Sequence, residues 1–157
     1  MRKRGAKIHH ARRDASPFVR AFAAQIPLSA SRIQKLAIGH HMALRAVHEG
    51  RGTDADMGRL AEALNVAMVL CDRGFGRDEI AIIKAAQGEL VAAEGPSRQV
   101  GRWFLSDRAY NAICTALEIH DQQLELATEA EVQGASFTVK SLAAAGEVIR
   151  FQPGRTQ

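Results

Sequence analysis

The sequence is poor in aromatic residues and cysteines and has no long apolar run. Phe, Trp and Tyr together make up only 5% of the 157 residues, which favours closely packed helices over a sheet. No eighteen consecutive residues are apolar, so we expect no membrane span. Cys71 and Cys114 have no CxxC partner and lie in apolar helical stretches. We interpret both as reduced core residues rather than as a disulfide.

Recognisable catalytic and cofactor motifs are absent as well. The sequence has no G-x-S-x-G and no HExxH. The segment RGFGRDE begins like a dinucleotide-binding loop, but Glu79 stands where the third glycine belongs and no strand precedes it. We therefore expect no enzyme, no catalytic residue and no cofactor.

The six histidines raise the question of a metal site. His41 and His48 are seven residues apart, which is about 10 Å along a helix and too far to share one ion. A site assembled across helices from His40, His120 and Asp121 is the arrangement left open. Because His40 and His120 lie on apolar stripes, we interpret them as hydrogen-bonded core histidines and expect no metal.

The positive charge is concentrated at one end, in the opening MRKRGAKIHHARRDASPF. Residues 1–20 hold seven of the 21 basic residues and one of the 17 acidic residues, a net charge of +6. The remainder has a net charge of −2. Such an arm is either a solvated segment that only raises solubility or a binder of phosphates. An anionic membrane surface is a weaker alternative, since only Phe18 and Phe22 are available for insertion.

A targeting role for the opening segment is not favoured. IHHARRD follows the first charges where a secretory signal needs an apolar run, so we expect a cytoplasmic protein. The Arg-rich, acid-poor composition leaves a mitochondrial transit peptide as the alternative.

Helix signals follow one another along the rest of the chain. We predict an all-α fold: a bundle of about four principal helices plus a short N-terminal helix starting at Ser16-Pro17, preceded by a flexible basic arm. The predicted division is an arm at 1–15, a helical domain at 16–146 and a frayed tail at 147–157. Further helix starts are predicted at the following residues: Ser29 or Ser31, Thr53, Arg77 or Asp78, and Ser106.

The helix containing Leu60–Cys71 is apolar around much of its circumference, so we predict that it is the most buried, with Leu64 and Met68 inside. The helix predicted to start at Arg77 or Asp78 is followed by the connection GPSRQVGRWFLS, which is predicted to be irregular. The last helix is predicted to continue past a kink at Gly134, with SFTVKSL ambiguous between helix and strand.

A helix-turn-helix is one interpretation of LNVAMVLCDRGFGRDEIAIIKAAQ. However, its second helix would begin with Asp78 and Glu79, which are poorly placed against bases and phosphates. We interpret the segment as an αα-hairpin of the core.

An apolar seam runs along the last long helix with alternating steps of three and four. It fits either the bundle core or a partner helix in a homodimer or hetero-complex through the Tyr110–Leu124 face. Its residues are Tyr110, Ile113, Leu117, His120, Leu124 and Ala127.

The segments RKRGAKIHHARRDASPF, ALNVAMVL and HDQQLELATEAEV resemble a set of small proteins from proteobacterial genomes and mobile elements, some of them labelled transcriptional regulators. The resemblance implies a regulator and brings no catalytic residues with it. An Arg-rich composition also indicates a bacterial or phage source.

These observations predict a non-enzymatic, nucleic-acid-associated accessory or regulatory protein of a bacterial or phage-like element, with DNA favoured over RNA. The alternative is a protein–protein adaptor that uses the face of the last long helix. The candidate nucleic-acid-binding residues are Arg2, Lys3, Arg4, Lys7, Arg12, Arg13, Arg98, Arg102 and Trp103.

Overall fold

The computed structural model describes residue 21 and residues 25–151. The predicted arm at 1–15, the short helix predicted from Ser16 and positions 152–157 of the predicted tail lie outside these residues. The candidate cations Arg2, Lys3, Arg4, Lys7, Arg12 and Arg13 lie outside them too.

The described part of the chain is helical, and its only β-pairing is an isolated bridge between Pro27 and Thr128. This confirms the all-α bundle. The helices are α1 (Ala30–His48), α2 (Asp54–Asp72), α3 (Ile80–Ala92), α4 (Glu94–Val100), α5 (Asp107–Leu126) and α6 (Glu129–Ala145), with a 3₁₀ turn at Arg77–Glu79 before α3. None of these helices is long and apolar enough to cross a membrane.

Side-chain caps fix where the long helices begin. The Ser29 hydroxyl accepts a hydrogen bond from the backbone N–H of Arg32, which resolves the choice between Ser29 and Ser31. Ser106 caps α5 in the same way. Thr53 and Asp56 form a reciprocal capping box at the start of α2. These starts agree with the predicted ones.

Helix α2 occupies the centre of the bundle and packs against α1, α3, α5 and α6. Ten of its residues are buried, more than in any other described helix, which confirms the prediction for Leu60–Cys71. Leu64 is fully buried, whereas Met68 is only partly buried at the edge of the core. The segment from α2 to α3 forms the core hairpin that the sequence favoured.

The predicted extent of the last helix was wrong. The helix that was predicted to continue past Gly134 is α5, and it ends at Leu126. A new helix, α6, begins after Thr128, which forms a capping box with Glu131. The break is therefore not at Gly134. The signal was present as Thr128 followed three residues later by Glu131. The ambiguous SFTVKSL lies within α6 and is helical.

The connection after α3 is also more regular than predicted, because residues 94–100 form α4. Pro96 does not interrupt this helix. It lies in the first turn of α4, where a backbone N–H has no helical partner to lose.

The predicted frayed tail packs against the bundle over residues 147–151. Asn65 donates a hydrogen bond from Nδ2 to the carbonyl of Ile149, at 3.0 Å. Ile149 and Phe151 both pack against the main core cluster. This stretch has no regular secondary structure, which is why periodicity did not reveal its contacts.

The central position of α2 predicts that Leu64→Ala is strongly destabilising. Leu64 is fully buried, so truncation removes apolar burial and leaves a cavity. We expect the free energy of unfolding to fall by about 2–5 kcal/mol, measured by urea denaturation. Ile82→Ala, at an exposed site on α3, is the control. An unchanged stability of Leu64→Ala would contradict the central position of α2.

Candidate nucleic-acid interface

Three of the predicted binding residues come together at one end of the bundle. Arg98 on α4 and Arg102 and Trp103 in the following loop line one cavity of about 440 Å³. Gly52, Thr53 and Asp54 form its opposite wall. The start of α2 therefore faces the Arg98–Trp103 segment, a juxtaposition that the sequence did not indicate.

The indole of Trp103 is held in place by two contacts. Its Nε1 donates a hydrogen bond of 2.6 Å to Oδ1 of Asp54, and its ring meets the edge of Phe151 with centroids 5.3 Å apart. The indole N–H is thus already used, and the ring is only partly exposed. Trp103 anchors this end of the fold, which leaves it a smaller part in ligand contact than we predicted.

The two arginines differ in how their charge is compensated. Arg98 forms an ion pair with Glu94, four residues earlier on α4, at 2.6 Å. Arg102 is exposed and has no ion pair with a carboxylate within residues 25–151. Its guanidinium lies over Gly50: a Cβ atom added to Gly50 would be 3.2 Å from Nη1 of Arg102. Arg102 is therefore the stronger candidate for a phosphate contact.

The cations next to this cavity are neutralised locally. Glu49 accepts hydrogen bonds from Arg45 and Arg51. These bonds, that from Arg45 first, lower the pKa of Glu49 to about 2 and keep it charged. The end of the bundle is a mixture of both signs rather than a basic surface.

The apolar seam of α5 is occupied by the chain itself. Ile113, Leu117 and Leu124 are at most 1% exposed, and Tyr110 is half-buried against His48, with ring centroids 4.4 Å apart. The Tyr110–Leu124 face belongs to the core in this fold. It is not free to serve as the adaptor or dimer surface that we had considered.

Two of the histidines predicted to lie in the core do so, and they lie together. His40 and His120 are 8% and 2% exposed, with ring centroids 5.6 Å apart. Asp121, the third residue of the considered metal arrangement, bonds to His41 instead, at 2.9 Å. Within the described residues no group of three or more potential ligands could hold a metal ion.

Burial favours the neutral form of both imidazoles. Desolvation, followed by the charges of His120, Arg59 and His41, lowers the pKa of His40 to about 4. Desolvation lowers the pKa of His120 too. Gln123 orients His120: its Nε2 donates to the carbonyls of Ala67 and Phe75, so its Oε1 accepts from Nδ1 of His120 at 3.2 Å.

Comparisons with known proteins add no relative to this description. No family model, curated protein or solved structure matches the chain. The function must be inferred from the residues and their arrangement.

The depressed pKa of His40 predicts a loss of stability in acid. Below pH 6.5 the unfolded chain binds a proton at His40, whereas the native chain does so only near pH 4. Unfolding is thereby favoured as the pH falls through this window, by roughly 2 kcal/mol between pH 7 and pH 5. Urea denaturation at pH 7 and pH 5 measures it. In His40→Gln the same pH change should cost less, with the part due to His120 remaining; an equal cost would contradict the assignment.

Replacement by alanine should have opposite effects at Gly52, in the turn beside the cavity, and at Gly88, within α3. A Cβ at Gly52 would lie 2.5 Å from Cγ2 and 2.7 Å from Cα of Val47, so Gly52→Ala must displace backbone and destabilise the fold. Gly88 lies within α3 with open space at its Cβ position, so Gly88→Ala should stabilise by about 0.5–1 kcal/mol. Thermal melting of both variants checks the pair. A Gly52→Ala protein that melts like the parent would show that α1 and α2 do not approach this closely.

Proposed function

We propose that this protein is a non-enzymatic, nucleic-acid-associated accessory protein of a bacterial or phage-like element, with a regulatory role. It binds the phosphates of nucleic acid, DNA in preference to RNA, through the basic residues of its first twenty positions. The observation that carries the proposal is the separation of charge: +6 in residues 1–20 against −2 in the remainder.

The ion pairs of the helical body support this division. Arg32 pairs with Glu129, Arg45 and Arg51 with Glu49, Arg98 with Glu94, and Arg108 with Glu89. Each such cation already has a carboxylate beside it. A phosphate would have to compete with that carboxylate, so these residues offer little affinity. By composition, the net positive charge of the chain lies in residues 1–20.

A slightly acidic body has a consequence for how binding would occur. Its net negative charge repels the polyanion, which confines contact to the arm and to an exposed cation such as Arg102. Phosphate contacts release counterions and give affinity without sequence preference. Sequence selection, where it exists, has to come from groups that reach base edges.

The proposed place of action is the cytoplasm, where such a partner is found. Both cysteines are free thiols, and burial raises the pKa of each above its ordinary value. Thiols in this state are poor nucleophiles, which agrees with a structural rather than a redox role.

The proposal predicts a specific dependence of DNA affinity on salt. If three to five arm cations reach phosphates, log affinity for duplex DNA should fall with log salt concentration with a slope of about −3 to −4.5. Fluorescence anisotropy with one labelled duplex and one labelled RNA measures it. In an arm-neutralised variant the slope should flatten and every sequence should bind more weakly; the variant replaces with Gln the residues Arg2, Lys3, Arg4, Arg12 and Arg13.

A body-neutralised variant with the same change in net charge is the control and should keep the parent's slope. It replaces with Gln five exposed cations, Arg77, Lys84, Arg108, Lys140 and Arg150. Equal losses in the two variants would show that only net charge matters. Absence of binding by the parent at low salt would refute the nucleic-acid function.

A further inference from the structure

A second cavity is lined by charged, polar and apolar side chains. It lies between α1, α2, α5 and α6 and has a volume of about 490 Å³. This is within the range of cavities that hold small organic ligands. We call it the histidine cavity, because His40 and His120 line it from inside.

Three cations stand at the histidine cavity: Arg32, Lys35 and Arg59. All three are exposed, so they form its outer part, and Arg32 is paired with Glu129. Lys35 and Arg59 have no carboxylate partner within residues 25–151. The one carboxylate that lines the cavity is Glu62. The lining therefore carries a net positive charge, unlike the mixed surface around Trp103.

Arg59 is close to the inner part of the cavity. Its Nη1 is 3.5 Å from the Cβ position of Gly39, the residue before His40. Its charge is also one of the causes that lower the pKa of His40. A Cβ atom on residue 39 would therefore be in van der Waals contact with this guanidinium.

An unsatisfied polar atom lies at the inner end. His40 is buried to more than nine-tenths, and its Nδ1 has no hydrogen-bond partner in the described part of the chain. By contrast, Nδ1 of the neighbouring His120 is bonded to Gln123. Buried polar atoms are nearly always partnered in folded proteins, so this one calls for an explanation.

The remaining walls are apolar, which restricts the kind of ligand. They consist of Leu36, Ala63, Val66, Leu124 and Val132. A bare inorganic ion would leave these walls uncovered, and an uncharged molecule would leave the cations unused.

We propose that the histidine cavity binds a small organic anion, an apolar body carrying one phosphate or carboxylate group. The oxyanion lies against Arg59 and Lys35, and the apolar body covers the walls beside His40. This site is independent of the arm and of the proposed function. It gives the helical body a small-molecule ligand of its own.

The test uses full-length protein with phenyl phosphate and benzoate as probes, which share the apolar ring and differ in the acid group. Calorimetric titration should show saturable binding of at least one probe at one site per chain. Benzyl alcohol, which keeps the ring and lacks the charge, should bind at least tenfold more weakly. In NMR spectra the ring signals of His40 and His120 should shift on saturation, while those of His48, at the far end of α1, should not.

Three variants assign the binding. Arg59→Gln combined with Lys35→Gln should lower the affinity for the probe by about tenfold or more, because the variant loses hydrogen bonds to charged groups. Arg77→Gln combined with Lys84→Gln changes the net charge equally at exposed sites elsewhere and should leave affinity unchanged. The arm-neutralised variant should also bind like the parent, which separates this site from phosphate binding by the arm.

Several outcomes would overturn the proposal. They are the absence of saturable binding of both probes, equal affinity for benzyl alcohol, equal affinity in the Arg59 and Lys35 double variant, and loss of binding in the arm-neutralised variant. The last result would mean that the probe had bound to the arm. None of these outcomes bears on DNA binding, so the two proposals fail separately.

Discussion

The central constraint on this fold is that α2 is apolar around most of its circumference. A helix of this kind cannot leave a face in water without losing much of its burial energy, so it has to be surrounded. Helices α1, α3, α5 and α6 each contact it. The arrangement of these four helices is thus a consequence of covering one segment, Asp54–Asp72, and the histidine cavity lies where α1, α5 and α6 meet α2.

Polar side chains inside the bundle fix how the covering helices sit. Gln123 bonds to carbonyls of residues 67 and 75 and to His120, which ties α5 to the end of α2. Asn65 accepts a hydrogen bond from Gln87 and donates one to the carbonyl of Ile149. These bonds hold α3 and the segment after α6 to α2. Because unpaired buried polar groups are costly, these bonds restrict the helices to few arrangements. Within the described residues, Nδ1 of His40 and Oδ1 of Asp121 are the buried side-chain atoms without a hydrogen-bond partner.

Electrostatics divides the molecule in a different way from packing. Within residues 25–151, five of the 13 Lys and Arg side chains form ion pairs with carboxylates, either nearby along the chain or on another helix, and such exposed pairs add little stability. Their effect is to leave the body without a strong positive field. Two places differ: the first twenty residues, by composition, and the histidine cavity, by the convergence of side chains from two helices. We assign a polymeric anion to the first and a small one to the second.

The sequence by itself determined the features that depend on neighbouring residues. Capping residues such as Ser29, Thr53 and Ser106 gave the helix starts, because a cap bonds within three residues. The apolar periodicity identified α2 as the most buried helix and placed His40 and His120 inside. The charge of the first twenty residues is likewise a matter of composition. Even locally, the break at Thr128 and the helix around Pro96 were missed, although Thr128 and Glu131 of the capping box are visible in the sequence.

Only the tertiary structure decided which distant residues meet. Trp103 bonds to Asp54 across 49 positions, and His40 meets His120 across the bundle, because α4 and α5 fold back on α2 and α1. The same packing buried the Tyr110–Leu124 face and brought Lys35 and Arg59 to one cavity. Periodicity shows which face of a helix is apolar, but the rotation and offset of one helix against another depend on the packing of all of them together. Candidate sites built from several helices therefore appear only in the folded chain.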